Sequence, residues 1–256
     1  MIYINKRFER TSPQETYVLT DFDRTLTTAD SMITWGVIEE SPLVNPKFSA
    51  EASELYLHYR QIETDPTIDF ETKAYHMENW HRQGISLMNK YVINEELLKR
   101  ILEENNSLKL RKDAPHFLHR MKQQDIPVII LSAGIGTVIE YALQKNGCLY
   151  DNITILSNFI AFEDGFITGF KAPEVHAMNK ASIDYESIVA GRRRGILFGD
   201  QVEDTLAAIN SDVTKIGFYD PNSHSLNTLK KEFDIILTDE SSFINVGHIL
   251  IKGYKK

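Results

Sequence analysis

Asp21 and Asp23 stand two positions apart in Asp21-Phe22-Asp23-Arg24-Thr25-Leu26-Thr27, directly after the apolar run Tyr17-Val18-Leu19-Thr20. A carboxylate at the end of a buried strand can attack phosphorus and divide one difficult hydrolysis into two easier steps through an aspartyl-phosphate. A second carboxylate two residues on can protonate the leaving oxygen and later take a proton from the attacking water. For that role, burial or the acidic neighbour must raise its pKa. A bare Asp-x-Asp pair is more often a turn or a helix cap. The strand signal before this one and Thr25-Leu26-Thr27 after it are what favour chemistry.

Two more apolar runs end in polar residues of interest. Val128-Ile129-Ile130-Leu131 leads into Ser132, and Ile196-Leu197-Phe198-Gly199 leads into Asp200. Continuous runs of this kind read as strands buried on both faces of a parallel sheet. Helical patterns lie between them: one capped by Asp113, with Pro115 in its first turn and Phe117, Leu118 and Met121 on one face, and one over 136–146 closed by Gly147. A strand at 216–218, a helix at 226–233, a strand at 235–237 and a helix at 243–251 follow. The alternation predicts an α/β fold with a doubly wound parallel sheet, whose ligands sit outside the carboxyl ends of the strands. Asp21, Ser132 and Asp200 are each expected at such an end.

The stretch between the first strand and the rest reads differently. Helices are expected at 50–62, 70–81 and 95–104, the last capped by Asn94, with no buried-strand pattern between them. This is the pattern of a smaller helical cap domain, 31–108, inserted into a catalytic core made of 1–30 and 109–256. The segments 28–30 and 108–112 are its expected hinges. Asp164-Gly165, between two apolar runs, predicts a β-hairpin that projects from the sheet.

The chain of 256 residues suits one large domain or a core with an insert, and its net charge of −8 argues against a nucleic-acid partner. An acidic protein that handles small phosphates must build positive potential locally, from a metal, a lysine and backbone N–H groups. With Cys148 as the single cysteine, neither an intrachain disulfide nor a thiolate zinc site can form. No secretory signal and no membrane-spanning run is visible, so a cytoplasmic enzyme without a membrane partner is expected. Gly134-Ile135-Gly136 lacks the third glycine of a dinucleotide site. His116 and His119 have no further ligand pattern, and Arg192-Arg193-Arg194 reads as a solvated turn.

The segment 21–27 resembles the first motif of the haloacid dehalogenase (HAD) superfamily, in which the first Asp is the nucleophile and the second the acid and base. The dehalogenases themselves lack the second carboxylate, so Asp23 points to phosphate chemistry. Leu131-Ser132-Ala133-Gly134 resembles the second motif, which implies that the Ser132 hydroxyl and the N–H groups of Ala133 and Gly134, at a helix N-terminus, hold phosphate oxygens. Gly199-Asp200 followed by Asp204 resembles the fourth. The resemblance implies Mg2+ held by Asp21, the backbone carbonyl of Asp23 and Asp200, with phosphate and water completing the octahedron. Asp204 then binds a metal water or braces the lysine of the third motif, for which Lys171 and Lys180 both lie in the right interval.

A closer resemblance separates those lysines. Ser132 to Gly136, Ser157-Asn158-Phe159, Gly169-Phe170-Lys171 and His176-Ala177-Met178-Asn179-Lys180 look like the pyrimidine 5′-nucleotidase branch, as do Ile62-Glu63-Thr64-Asp65-Pro66 and, more loosely, 77–80. The likeness spans about 17–251 and implies Lys180 as the lysine that neutralises charge between nucleophile and phosphate. It also implies Glu63 as a base-recognising carboxylate of the cap. Trp35, Tyr59, Tyr75 and Trp80 are candidates to stack on a base, most of them expected in the cap core. The segment 28–46 and the residues Gln201 and Glu203 depart from the branch pattern. The implied function is hydrolysis of a phosphate monoester, with a nucleoside 5′-monophosphate as favoured substrate. The alternatives are another small metabolite, such as phosphoserine or a sugar phosphate, and an inactive binding protein. Intact Asp21, Asp23, Ser132, Lys180 and Asp200 argue against the last.

Overall fold

Tyr17, Val18 and Leu19 are all fully buried, although successive strand residues face opposite sides of a sheet. The strand they form must therefore be covered on both faces, and the computed structural model shows that arrangement. It describes residues 2–4, 9–209, 212–221, 226–237 and 243–254. The strands are β1 (Ile2–Ile4), β2 (Thr16–Thr20), β3 (Val128–Ile135), β4 (Ile153–Asn158), β5 (Ile160–Glu163), β6 (Phe166–Phe170), β7 (Arg194–Gly199), β8 (Val213–Phe218) and β9 (Ile235–Leu237). The helices are α1 (Thr34–Glu39), α2 (Pro46–Thr64), α3 (Phe70–Lys90), α4 (Glu95–Glu104), α5 (Ala114–Gln123), α6 (Gly136–Lys145), α7 (Glu186–Val189), α8 (Leu226–Glu232) and α9 (Phe243–Leu250).

Seven strands form one sheet in the order β1-β9-β8-β7-β2-β3-β4. All neighbours are parallel except β1, which adds an antiparallel edge to β9. Val18, Ile130, Ile196 and Phe198 face one core with α5, α6 and α9; Tyr17, Leu19, Ile129 and Leu197 face the other with Tyr185, Leu229 and Phe233. The doubly wound parallel sheet expected from the apolar runs is present. Because β3 leaves β2 on one side and β7 flanks it on the other, the carboxyl end of β2 lies at the crevice where the winding reverses.

Three details differ from expectation. Pairing of β3 with β4 is interrupted between Leu131 and Ile135 and then resumes, so Ser132 sits in an irregular stretch of the strand rather than at its end. Asp113 gives no side-chain cap to α5; its carboxylate accepts the N–H of Ile244 at 3.1 Å and so secures the start of α9. Arg192 is more than a solvated turn. It donates to the carbonyls of Pro13, Gln14 and Asp125 and stitches three loops at the far end of the sheet.

The helical segment contains the three expected helices, two of them longer, and one more, α1. In α3 the glycine at 84 admits the Trp35 ring, which would lie 3.2 Å from a Cβ placed there. A residue that interrupts the periodicity is thus a packing contact, and the helix runs on to Lys90. The hairpin of β5 and β6 turns at Asp164 and Gly165, both with positive φ (50° and 81°), and forms its own two-stranded sheet. It props the helical segment through Ile160 and Ile167, which pack with Val37, Phe48, Met88 and Ile101. The two chain connections to this segment run side by side, with Thr28 N–H donating to Lys109 O and Arg111 N–H to Leu26 O, both at 2.9 Å. Among the described residues no helix is long and apolar enough to cross a membrane.

Phe243 packs with Phe117, Phe198 and Phe218 at centroid distances of 5.1, 4.8 and 5.1 Å and ties α9 to the sheet. Phe243→Ala is expected to lower the unfolding free energy by about 3–5 kcal/mol in urea titration. Leu57→Ala, at an exposed side chain, should stay within about 0.5 kcal/mol.

Candidate active site

The strand order brings the ends of β2 and β7 together. Asp21 follows β2, Asp200 follows β7, and both are buried at the floor of a cleft of about 620 Å³ that the helical segment roofs. That volume lies inside the range of about 300–1,000 Å³ usual for small-molecule sites. Ser132, Ala133 and Gly134 line the same cleft, as do Asp23, Lys180 and Asp204. All of the core residues singled out from sequence therefore converge.

Lys180 is 3% exposed, whereas Lys171 is at the surface. Its Nζ donates to Asp21 Oδ1 at 2.8 Å and to Asp204 Oδ1 at 2.6 Å. Burial opposes the ammonium charge, but the carboxylates of Asp204 and Asp21 outweigh it and hold the pKa above the ordinary lysine value. Of the two roles open to Asp204, the geometry matches the brace. Its other oxygen accepts the N–H groups of Asp200 and Gln201, each at 2.9 Å, so both oxygens are engaged.

Four carboxylates share this floor with one buried lysine. Burial is the first cause that raises Asp21 to about 7; Asp204 and Asp200 add to it and Lys180 opposes it. Asp200 is likewise pushed to about 7 by burial and by Asp204, against the Gln201 amide that donates to it at 2.7 Å. Asp23 reaches about 7 through burial and the nearby Asp21. Such crowding of desolvated negative charge calls for a cation. Asp21, Asp200 and Asp204 can each aim one oxygen so that all lie within 4.8 Å of one another. Each of the three already accepts hydrogen bonds: Asp21 from Lys180, Asp200 from Thr25 and Gln201, and Asp204 from Lys180 and two backbone N–H groups. An all-oxygen donor set of this kind suits a hard divalent cation.

The segment 132–134 is held from behind. Asn158, at the end of β4, donates to the carbonyls of Ala133 (3.0 Å), Gly134 (3.1 Å) and Val175 (2.8 Å) and accepts the Val175 N–H at 2.8 Å. Ser157 donates to Gly134 O at 2.9 Å. With those carbonyls turned inward, the Ser132 side chain remains at the cleft, its Oγ accepting the Gly134 N–H at 3.2 Å.

Glu63 lines the cleft from the end of α2, 2.6 Å from Arg60 Nη1. Trp80 lines it as well, backed by the nearly parallel ring of Tyr59 at 5.8 Å, and Tyr56 lies 5.8 Å from Trp80 on the cleft side. Tyr59 itself is buried in the helical segment and Tyr75 is exposed away from the cleft. Trp35 reaches the cleft, with its indole N–H on Ala133 O at 3.3 Å.

Sequence reasoning missed three residues. Thr25 is wholly buried and its hydroxyl donates to Asp200 Oδ1 at 3.2 Å. Arg24 lines the cleft with a buried Nε that has no hydrogen-bond partner. Thr34 holds Asp23. The first two lie inside the Asp21 segment and could have been weighed as donors; a lone threonine in a linker carries no signal.

Among curated proteins, the chain is 28% identical over 247 residues to the 7-methylguanosine phosphate-specific 5'-nucleotidase of Drosophila melanogaster, covering 90% of this chain and 77% of that one. It is 28% identical over 256 residues to the Homo sapiens protein of the same name, covering 92% and 85%. The solved structure of cytosolic 5'-nucleotidase IIIB bound to cytidine superposes with a TM-score of 0.81 at 26% identity, over 93% of this chain and 85% of that one. A substrate-bound phosphoserine phosphatase shares the fold at 17% identity and a TM-score of 0.55, over 95% of this chain and 100% of that one. Residues 19–252 match the family model described as Pyrimidine 5'-nucleotidase (UMPH-1), and the chain belongs to that family, an enzyme hydrolysing phosphoric monoesters.

Proposed function

We propose that the chain is a magnesium-dependent nucleoside 5′-monophosphatase with Asp21 as nucleophile and Asp23 as acid and base. Lys180, Ser132 and the N–H groups of Ala133 and Gly134 form the phosphate clamp. The observation that carries this reading is the buried Lys180 ammonium fixed between Asp21 and Asp204 at the floor of the cleft. An Asp21 oxygen forms a bond to phosphorus while the bond to the leaving oxygen breaks, and Asp23 gives that oxygen its proton. Water then attacks phosphorus and gives a proton to Asp23, and the bond to Asp21 breaks to restore its carboxylate. Lys180 offsets the charge that gathers between nucleophile and phosphoryl oxygens. Mg2+, when bound by Asp21, the Asp23 carbonyl and Asp200, supplies further charge neutralisation between carboxylate and phosphate.

Residues 31–108 act in this reading as the specificity cap over a core of 1–30 and 109–256. Glu63 faces the nucleobase and Trp80 stacks on it. A carboxylate shared with Arg60 can accept an exocyclic amine or a ring N–H, and Trp80 offers a rigid apolar face. The names of the relatives and the cytidine in the superposable structure support a nucleoside substrate of this shape.

Asp21→Asn is expected to cut phosphate release from a nucleoside monophosphate by about 10⁴-fold or more, the scale for removing the nucleophile of a catalytic unit. Release that survives this change refutes the mechanism. Glu63→Ala should raise KM for nucleoside monophosphates about 10-fold or more, as loss of a bond to a charged group implies, and leave p-nitrophenyl phosphate nearly unchanged. Equal losses on both substrates would end the base-recognition idea.

Metal binding has a signature in stability. Asp21, Asp23 and Asp200 titrate near 7 in the folded chain against 3.8 for a free side chain. Between those values the folded state binds more protons than the unfolded one, so the metal-free protein loses stability as pH rises through that window. Mg2+ competes with these protons. The gain in Tm on adding Mg2+ should therefore be small near pH 5 and largest near pH 8; equal gains at both would contradict the assignment.

A further inference from the structure

Asp23 does not stand free at the cleft. Its carboxylate accepts the Thr34 N–H, 3.0 Å from Oδ1 and 3.2 Å from Oδ2, and the Thr34 hydroxyl, 2.7 Å from Oδ2. The same hydroxyl oxygen accepts the N–H of Ile135 at 3.0 Å. A threonine hydroxyl has one hydrogen, and a backbone N–H can only donate. Against the ionised carboxylate, which can only accept, the hydroxyl hydrogen of this relay goes to Asp23 Oδ2, while the Ile135 N–H takes one of the hydroxyl's lone pairs. Thr34 is 0% exposed, so water does not compete for any of these bonds.

The relay joins three separated segments: the loop after β2, the first residue of α1, and the end of the phosphate loop. They meet so closely that Gly134 has no space for a side chain. A Cβ there would fall 2.3 Å from Thr34 Oγ1 and 3.0 Å from Asp23 Oδ2. Thr34 makes no hydrogen bond to Ser132, Lys180, Asp21 or Asp200. Its N–H serves the carboxylate, and its hydroxyl bridges the carboxylate and the Ile135 N–H.

We propose that Thr34 is the positioning residue for Asp23: it engages Oδ2 through the hydroxyl and leaves Oδ1, with its single bond, as the oxygen presented to the leaving group. This rests on the reading of Asp23 as the acid, and the experiment separates the two. kcat/KM is measured with saturating Mg2+ for a series of substituted phenyl phosphates, from phenyl to p-nitrophenyl. That parameter includes departure of the leaving group, which needs a proton most when its own pKa is high. Dephosphorylation of the enzyme is common to the whole series and drops out.

Asp23→Asn and Thr34→Val should both steepen the dependence on leaving-group pKa. The loss on phenyl phosphate should exceed that on p-nitrophenyl phosphate by about 10-fold or more, a part of the usual general-acid contribution. KM should change little, and Thr34→Ser, which keeps the hydroxyl, should restore the wild-type slope. Thr34→Ala serves in the same way should the valine variant not fold. A steep slope in Asp23→Asn with a wild-type slope in Thr34→Val and Thr34→Ala overturns the Thr34 proposal and leaves Asp23 as the acid. Equal losses across the series in the Thr34 variants overturn it too, since they mark a structural role alone. A wild-type slope in Asp23→Asn removes both readings.

Discussion

The buried ammonium of Lys180 is the interaction on which the geometry of the site depends. A lysine that has left water needs carboxylates on hand, and breaking such a pair by removing one partner typically costs about 3–5 kcal/mol. Its partners come from two different strand ends, so the ion pair also fixes how the loop after β2 faces the turn after β7. The turn is built to aim one carboxylate. Asp204 is held by two N–H groups at 2.9 Å, and a Cβ on Gly199 would lie 2.5 Å from the Asp204 side chain, so only glycine leaves room for that approach. The spacing Gly199-Asp200 to Asp204 thereby lets Asp204 brace the lysine while Asp200 remains at the cleft.

Lys180 itself lies on a short 3-10 turn (Lys180–Ser182) outside the sheet, so something must carry its position back to the strands. Asn158 does this. One side-chain amide at the end of β4 binds both the loop leading to Lys180 and the carbonyls of Ala133 and Gly134. The cationic residue and the segment 132–134 are thus referenced to the same group. A buried amide bonded at both its oxygen and its nitrogen cannot rotate without leaving polar atoms unpaired, which is costly in a dry interior.

How much of this was legible in the sequence follows from what leaves a local trace. Continuous apolar runs exposed the parallel strands, and the polar residues at their ends followed with them. Ser132 was misplaced by a few ångströms of chain because the irregular pairing between Leu131 and Ile135 has no compositional mark. Lys180 could be separated from Lys171 only through a family resemblance, since its identity depends on carboxylates 159 and 24 positions away. The helix α1 is six residues long, too short for a periodic signal. Ser157 and Asn158 were readable as part of a pattern but not as the anchors of the segment 132–134, because a bond to a carbonyl does not depend on the residue type that owns the carbonyl.

The helical segment and the loop after β2 are also coupled more tightly than a simple hinge suggests. Arg111, on the returning connection, donates to the carbonyls of Arg24 and Thr25 at 2.8 Å and lies 3.9 Å over the Phe218 ring. Arg24 has a φ of 61°, a left-handed conformation that a residue with a side chain holds only when its surroundings impose it. Here Arg111 and the Thr27 hydroxyl, which accepts the Arg24 N–H at 2.7 Å, impose it. A rotation of the segment about its paired connections would pull on Arg111 and so on the backbone between Asp23 and Thr25. The helical segment and the backbone that carries Asp23 are thus mechanically linked through one guanidinium, in addition to the contact of Thr34 with Asp23.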